Sequence, residues 1–196
     1  MNAIQVNGMS GTERKRLHPH KFTLWIGIGS IVMMFAGLTS AVIVKRNLGN
    51  WQSFVIPRVF WFSTAVILAT SLTMQMALRA FKERSMKFYR MLMTATAIGG
   101  IIFIVLQFKG FEDLWAQNLH FSNSIGVSFL YIIFGLHALH VLGGIVALLV
   151  LFGKAFSARK RNYSPVPVEI VSVYWHFVDL LWLYLLVFFV LIQFRD

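Results

Sequence analysis

Cysteine is absent from the 196 residues. No disulfide, iron–sulfur cluster or thiolate-held metal can therefore belong to the chain. Acid is scarce as well: seven Asp and Glu stand against eighteen Lys and Arg, a formal net charge of +11. Charged residues make up only 13% of the sequence, where a soluble domain carries about 25%. The sequence also lacks long polar connections, which excludes a separate soluble catalytic domain. The first 21 residues, MNAIQVNGMSGTERKRLHPHK, lack the apolar core of a secretory signal. Residues 1–21 are expected to form a polar tail at a membrane surface. The basic excess does not point to nucleic acid, because it is spread between apolar runs and not gathered on one face.

What is abundant is apolar and aromatic. Hydrophobic residues reach 58%, with 19 Phe and 6 Trp. Crossing a hydrocarbon layer of about 30 Å takes roughly 20 apolar residues in a helix. Five stretches qualify, at about 22–44, 59–78, 91–108, 124–152 and 170–194. Lipid offers no partner to exposed backbone groups, so each stretch is expected to be helical. The polar residue at every second position that a barrel strand needs is missing. The expected fold is all-α: a polytopic bundle of five transmembrane helices filling 22–196.

The basic residues predict the orientation. Thirteen fall on one side, in the tail and in the second and fourth connections; five fall on the other. The positive-inside rule then places the N-terminus in the cytoplasm and the C-terminus outside. No internal repeat of the transporter kind is visible.

Polar residues inside the spans are the candidates for chemistry, since each is costly in lipid. Asp179 is the one carboxylate that cannot be shifted into a connection. His176 precedes it by three residues and shares its helix face, so a bond from imidazole to carboxylate is expected. His137 and His140, in HALH, are likewise three apart. They are expected to form a polar seam between helices, since a zinc site needs three or four protein ligands. A proton relay at Asp179, lipid-headgroup contact and metal or haem ligation by the histidines are the sharper alternatives. Gly99, Gly100, Gly135, Gly143 and Gly144 are expected to permit close helix packing.

Several of these segments resemble subunit III of the haem–copper terminal oxidases. SFLYIIFGLHALHVLGG (Ser128 to Gly144) resembles that family's G-x-H-x-x-H-V-x-x-G stretch, and YWHFVDLLWLYLL (Tyr174 to Leu186) resembles its closing Y-W-H-F-V-D-x-x-W signature. GGIIFIVLQFKGFEDL (Gly99 to Leu114) resembles the G-x-x-F-x-x-x-Q segment through Gly100, Phe103 and Gln107. LWIGIGSIVMMFAGL (Leu24 to Leu38) resembles a further family segment, with Ile31 where the family carries a glutamate. The long form of the family has seven spans; five here match its last five.

The resemblance implies a non-catalytic subunit of the bacterial plasma (inner) membrane. It would carry no cofactor of its own, with haem and copper on partner subunits. It would pack directly on subunit I, beside subunit II and smaller subunits, and would bind phospholipid. Cytochrome c is the favoured electron donor of the complex, with quinol as the alternative. A stand-alone transporter and a membrane-bound haem or di-metal enzyme are the rival classes.

Overall fold

The computed structural model describes residues 19–46, 56–116, 125–156 and 164–193. Most of the expected tail (1–18) lies outside these. So do Arg14, Lys15, Arg16, Arg159, Lys160, Arg161 and Arg195, seven of the basic residues behind the expected orientation.

Five helices follow one another: α1 (Pro19–Arg46), α2 (Val59–Lys82), α3 (Met86–Ala116), α4 (Ile125–Phe156) and α5 (Val166–Gln193). All five are long and apolar enough to cross a membrane. They outrun the expected spans at most ends, because a helix continues through the polar interface once its apolar stretch ends. In α3 this carries Lys109, Glu112 and Asp113 into the helix. Prolines mark the helix starts: Pro19 opens α1, Pro57 precedes α2, and Pro165 and Pro167 flank the first residue of α5. A proline there loses no intrahelical bond, since the first N–H groups have none to make.

Glu83, Arg84 and Ser85 join α2 to α3. Ser85 N–H donates to Ala80 O at 3.0 Å and Arg84 N–H to Phe81 O at 3.1 Å. This is the Schellman arrangement, with Arg84 at φ 61° in the place where glycine is usual. So short a turn forces α2 and α3 into an antiparallel hairpin, the most closely packed pair in the bundle.

α5 is the central element. Its buried residues recur every three or four positions, from Val168 through Trp175, Val178, Trp182, Leu185 and Phe189 to Ile192. That face meets α1, α2 and α4. α1 is peripheral and touches only α4 and α5 closely.

Charge ties the helix ends together on one side. Glu169, in the first turn of α5, accepts from Lys21 of α1 at 2.6 Å and from Lys82 of α2 at 2.9 Å. On the same side Arg90 of α3 donates to the Ala155 carbonyl of α4 at 2.8 Å. The start of α1, the end of α2 and the start of α5 therefore share one membrane face. The lysines are well exposed, so each pair adds only about 0.2–1 kcal/mol.

Candidate functional site

α2 carries the hydroxyl groups that join the bundle. Ser63, Thr64, Thr70, Ser71 and Thr73 lie on it, with Ser63 and Thr70, and Thr64 and Ser71, seven residues apart and so on one face. Ser63, Thr64 and Thr70 each donate back to a carbonyl of their own helix, at 2.7–2.9 Å. The oxygen is then free to accept from a neighbour. Thr64 accepts from the Trp182 indole at 3.0 Å, Thr70 from the Trp175 indole at 3.4 Å, and Ser63 from the Gln107 amide at 3.1 Å. Thr73 and Thr96 share a bond of 2.8 Å between α2 and α3. No buried donor in this set is wasted, which matters where water is excluded.

His176 belongs to the same network. Its Nδ1 lies 2.6 Å from the Ser71 hydroxyl, and its Nε2 lies 3.2 Å from Gln75 Oε1. One neutral tautomer satisfies both: Nε2–H donates to Gln75 and Nδ1 accepts from Ser71. The bond expected between His176 and Asp179 is not formed. Three positions turn a helix through about 300°, and that offset sends His176 to the polar edge of α2 while Asp179 points into the interior. Asp179 is buried, and neither carboxylate oxygen has a hydrogen-bond partner among the described residues. The Ser71 hydroxyl stands beside it, but outside hydrogen-bond geometry to it and engaged by His176.

This arrangement sets the effect of removing the carboxylate. With His176 satisfied elsewhere, Asp179→Leu strands no donor. It is expected to stabilise the purified subunit by about 1–3 kcal/mol, the burden of an unsatisfied buried polar group. Asp179→Asn keeps buried polar atoms and gains nothing comparable. Equilibrium unfolding in mixed micelles measures both, and a loss of stability in Asp179→Leu would reveal a partner for the carboxylate.

His137 and His140 do not act as one seam. His137 is buried, stacks on Trp182 with ring centroids 5.4 Å apart, and has no hydrogen-bond partner for either ring nitrogen among the described residues. His140 faces α1 instead. Its ring meets Phe35 edge-on at 5.9 Å, and Nδ1 lies 2.7 Å from the Leu136 carbonyl of its own helix. The contact from α5 goes to the His140 backbone, whose carbonyl accepts from Tyr174 at 3.0 Å.

These histidines do not fit haem or copper ligation. One is stacked under an indole, one is turned against Phe35, and one has both nitrogens engaged. Among the described residues no three His, Asp or Glu side chains converge as a metal site would require.

The glycines divide. A Cβ on Gly99 would stand 2.3 Å from Thr70 Cγ2, and one on Gly100 would stand 3.1 Å from Trp175. Gly144 gives room to Tyr174 and Trp175, and Gly143 more loosely to Tyr174. Gly135, expected to do the same, has open space within 4 Å. Gly110, not singled out in the sequence, is the tightest: a Cβ there would lie 2.2 Å from Phe60. Its place three residues after Gln107 was the available signal, because that puts it on the α2-facing side of α3.

Residues 21–193 match the family model described as cytochrome c oxidase subunit III. The chain belongs to the cytochrome c oxidase subunit III family. It is 29% identical over 185 residues to the probable cytochrome c oxidase subunit 3 of Nocardia farcinica, covering 86% of this chain and 89% of that one. It is 25% identical over 166 residues to cytochrome c oxidase subunit 3 of Bacillus sp. (strain PS3), covering 82% and 80%. It is also 26% identical over 167 residues to the cytochrome bo(3) ubiquinol oxidase subunit 3 of Buchnera aphidicola subsp. Schizaphis graminum, covering 83% and 88%. This subunit III is thus a multi-pass bacterial membrane protein and one component of a multi-subunit haem–copper oxidase. Both signature segments of the family are accounted for in the bundle. The closing signature supplies the buried face of α5, and the HALH stretch supplies the α4 surface that receives Trp182.

Proposed function

We propose that this subunit III is a non-catalytic partner that packs on subunit I and stabilises it while the complex reduces oxygen to water and translocates protons. Haem and copper then reside on the partner subunits, with subunit II and smaller subunits alongside. The observation that carries this reading is the use of the polar side chains. The hydroxyls, indoles and amides of α2, α3 and α5 satisfy one another across helices, an arrangement suited to holding a bundle rigid. Cytochrome c is the favoured electron donor. The relatives from Nocardia farcinica and Bacillus sp. (strain PS3) carry that name, while those from Buchnera aphidicola are ubiquinol oxidase subunits. The complex purified from its native membrane is expected to contain subunits I and II and to consume oxygen with reduced cytochrome c. Turnover with quinol alone would overturn the donor assignment.

The orientation remains N-terminus inside and C-terminus outside. The shared face of Lys21, Lys82 and Glu169 supports it, since the basic connections adjoin those same helix ends. A periplasm-specific reporter fused after Asp196 is expected to be active. A cytoplasm-specific reporter active at that position would reverse the topology.

A further inference from the structure

Gln75 and Gln107 are the amides that lie well inside the described helices. Gln107 is buried and donates to Ser63. Gln75 is half-buried, and among the described residues its amide makes one bond, accepted by Oε1 from His176 Nε2 at 3.2 Å. Ser71 holds the other nitrogen of that imidazole at 2.6 Å. The carbonyl of Gln75 is thereby pinned against α5, and its NH2 group is left on the outer side of the α2–α5 seam with no partner. Gln75 stands seven residues before Lys82, and His176 seven after Glu169. Both therefore lie about 10 Å inward of the plane where Lys82 and Glu169 pair, at 1.5 Å per residue. Leu68 and Leu72 share the side of α2 that carries Gln75, and Val173 and Leu180 the side of α5 that carries His176. All four are exposed, Leu72 at 68% and Leu180 at 66%. Two amide donors thus sit in the middle of an apolar outer face.

We propose that this α2–α5 face receives a transmembrane helix of subunit I, and that a side chain of that helix accepts a hydrogen bond from the Gln75 amide. The inference rests on the reading that the chain packs on subunit I and names the face and the chemistry of the contact. Unmet amide donors are costly in hydrocarbon, and polar side chains at membrane depth face protein or a water-filled cavity. An acyl chain offers no acceptor. Water needs two to four polar partners, and the leucines around the NH2 group supply none. The backbone carbonyls of a partner helix are spent on its own turns, so the acceptor is a hydroxyl, carboxamide or carboxylate side chain. A second copy of this chain would set amide donor against amide donor, since each Oε1 is already engaged by His176.

The test uses the oxidase complex in its native membrane, with benzoylphenylalanine placed at Leu72 or, as control, at Val146. Val146 is exposed on α4, between α1 and α3 and on the other side of the bundle. Irradiation is expected to join the Leu72 position to subunit I in at least fivefold higher yield than the Val146 position. Gln75→Met keeps the length and removes the donors. Its subunit III is expected to leave the complex in detergent at least threefold faster than the wild type. A link to subunit I from Val146 and not from Leu72 would overturn the proposed face while sustaining the packing on subunit I. So would a Leu72 position joined to lipid while the complex purifies with both subunits. A link between two copies of this chain at Leu72, or release of Gln75→Met at the wild-type rate, would also overturn the proposal. Purification of subunit I without this chain under all conditions would remove the packing reading itself.

Discussion

Trp182→Ala is expected to destabilise the purified subunit by about 3–5 kcal/mol, the range for removing a large buried aromatic side chain. Trp182 is fully buried, and its ring meets Phe60 at 5.5 Å, Phe103 at 5.7 Å, Phe134 at 5.7 Å and His137 at 5.4 Å. One side chain of α5 thus touches α2, α3 and α4 at once. Lipid does not reward apolar burial as water does, so the loss is chiefly one of packing contacts around a cavity. Trp182→Phe separates the ring from its N–H. It keeps much of the volume and loses the bond to Thr64, worth about 0.6 kcal/mol in a membrane bundle. Thr64 is not orphaned, because its hydroxyl still donates to Phe60 O. Unfolding of both variants in mixed micelles, with the subunit content of the assembled oxidase, provides the comparison. Similar losses for Phe and Ala would show that the indole bond, and not the packing, holds the centre.

The second large effect lies at Gly110, where α3 passes Phe60. A Cβ would stand 2.2 Å from one ring carbon and 2.8 Å from two others. Phe60 cannot swing aside, because the rings of Phe111, Phe134 and Trp182 surround it. Gly110→Ala is therefore expected to cost about 1–3 kcal/mol through overpacking, and Gly110→Val more. Gly135→Ala meets nothing within 4 Å. It should instead gain up to about 1 kcal/mol from helix propensity. Adding Phe60→Leu to Gly110→Ala should recover part of the loss, a coupling of about 0.5–3 kcal/mol between touching residues. Equal stability of the Gly110→Ala and Gly135→Ala subunits would mean that α2 and α3 part easily.

The contrast between these glycines marks what could be read in advance. The number of helices, their order and the family were legible, because hydropathy over about 20 residues is a local property and the signature segments are contiguous. The separate fates of His137 and His140, and the engagement of His176 by Ser71 and Gln75, were not. Each depends on how a helix is rotated and how deep its neighbour sits. In a water-soluble helix, a polar face would have revealed the rotation. Here the outward residues are as apolar as the inward ones: Met33 is 77% exposed and Leu180 66%, while Met74 and Leu185 are fully buried. The sequence by itself determined five spans, their basic flanks and membership of the subunit III family. Only the tertiary structure decided which hydroxyl meets which indole, that Asp179 and His137 are left without hydrogen-bond partners among the described residues, and that Gly110 and not Gly135 is where two helices touch. Lipid selects the composition of a helix without selecting its facing side, and the facing side is then set by close packing and by the pairing of the few polar groups.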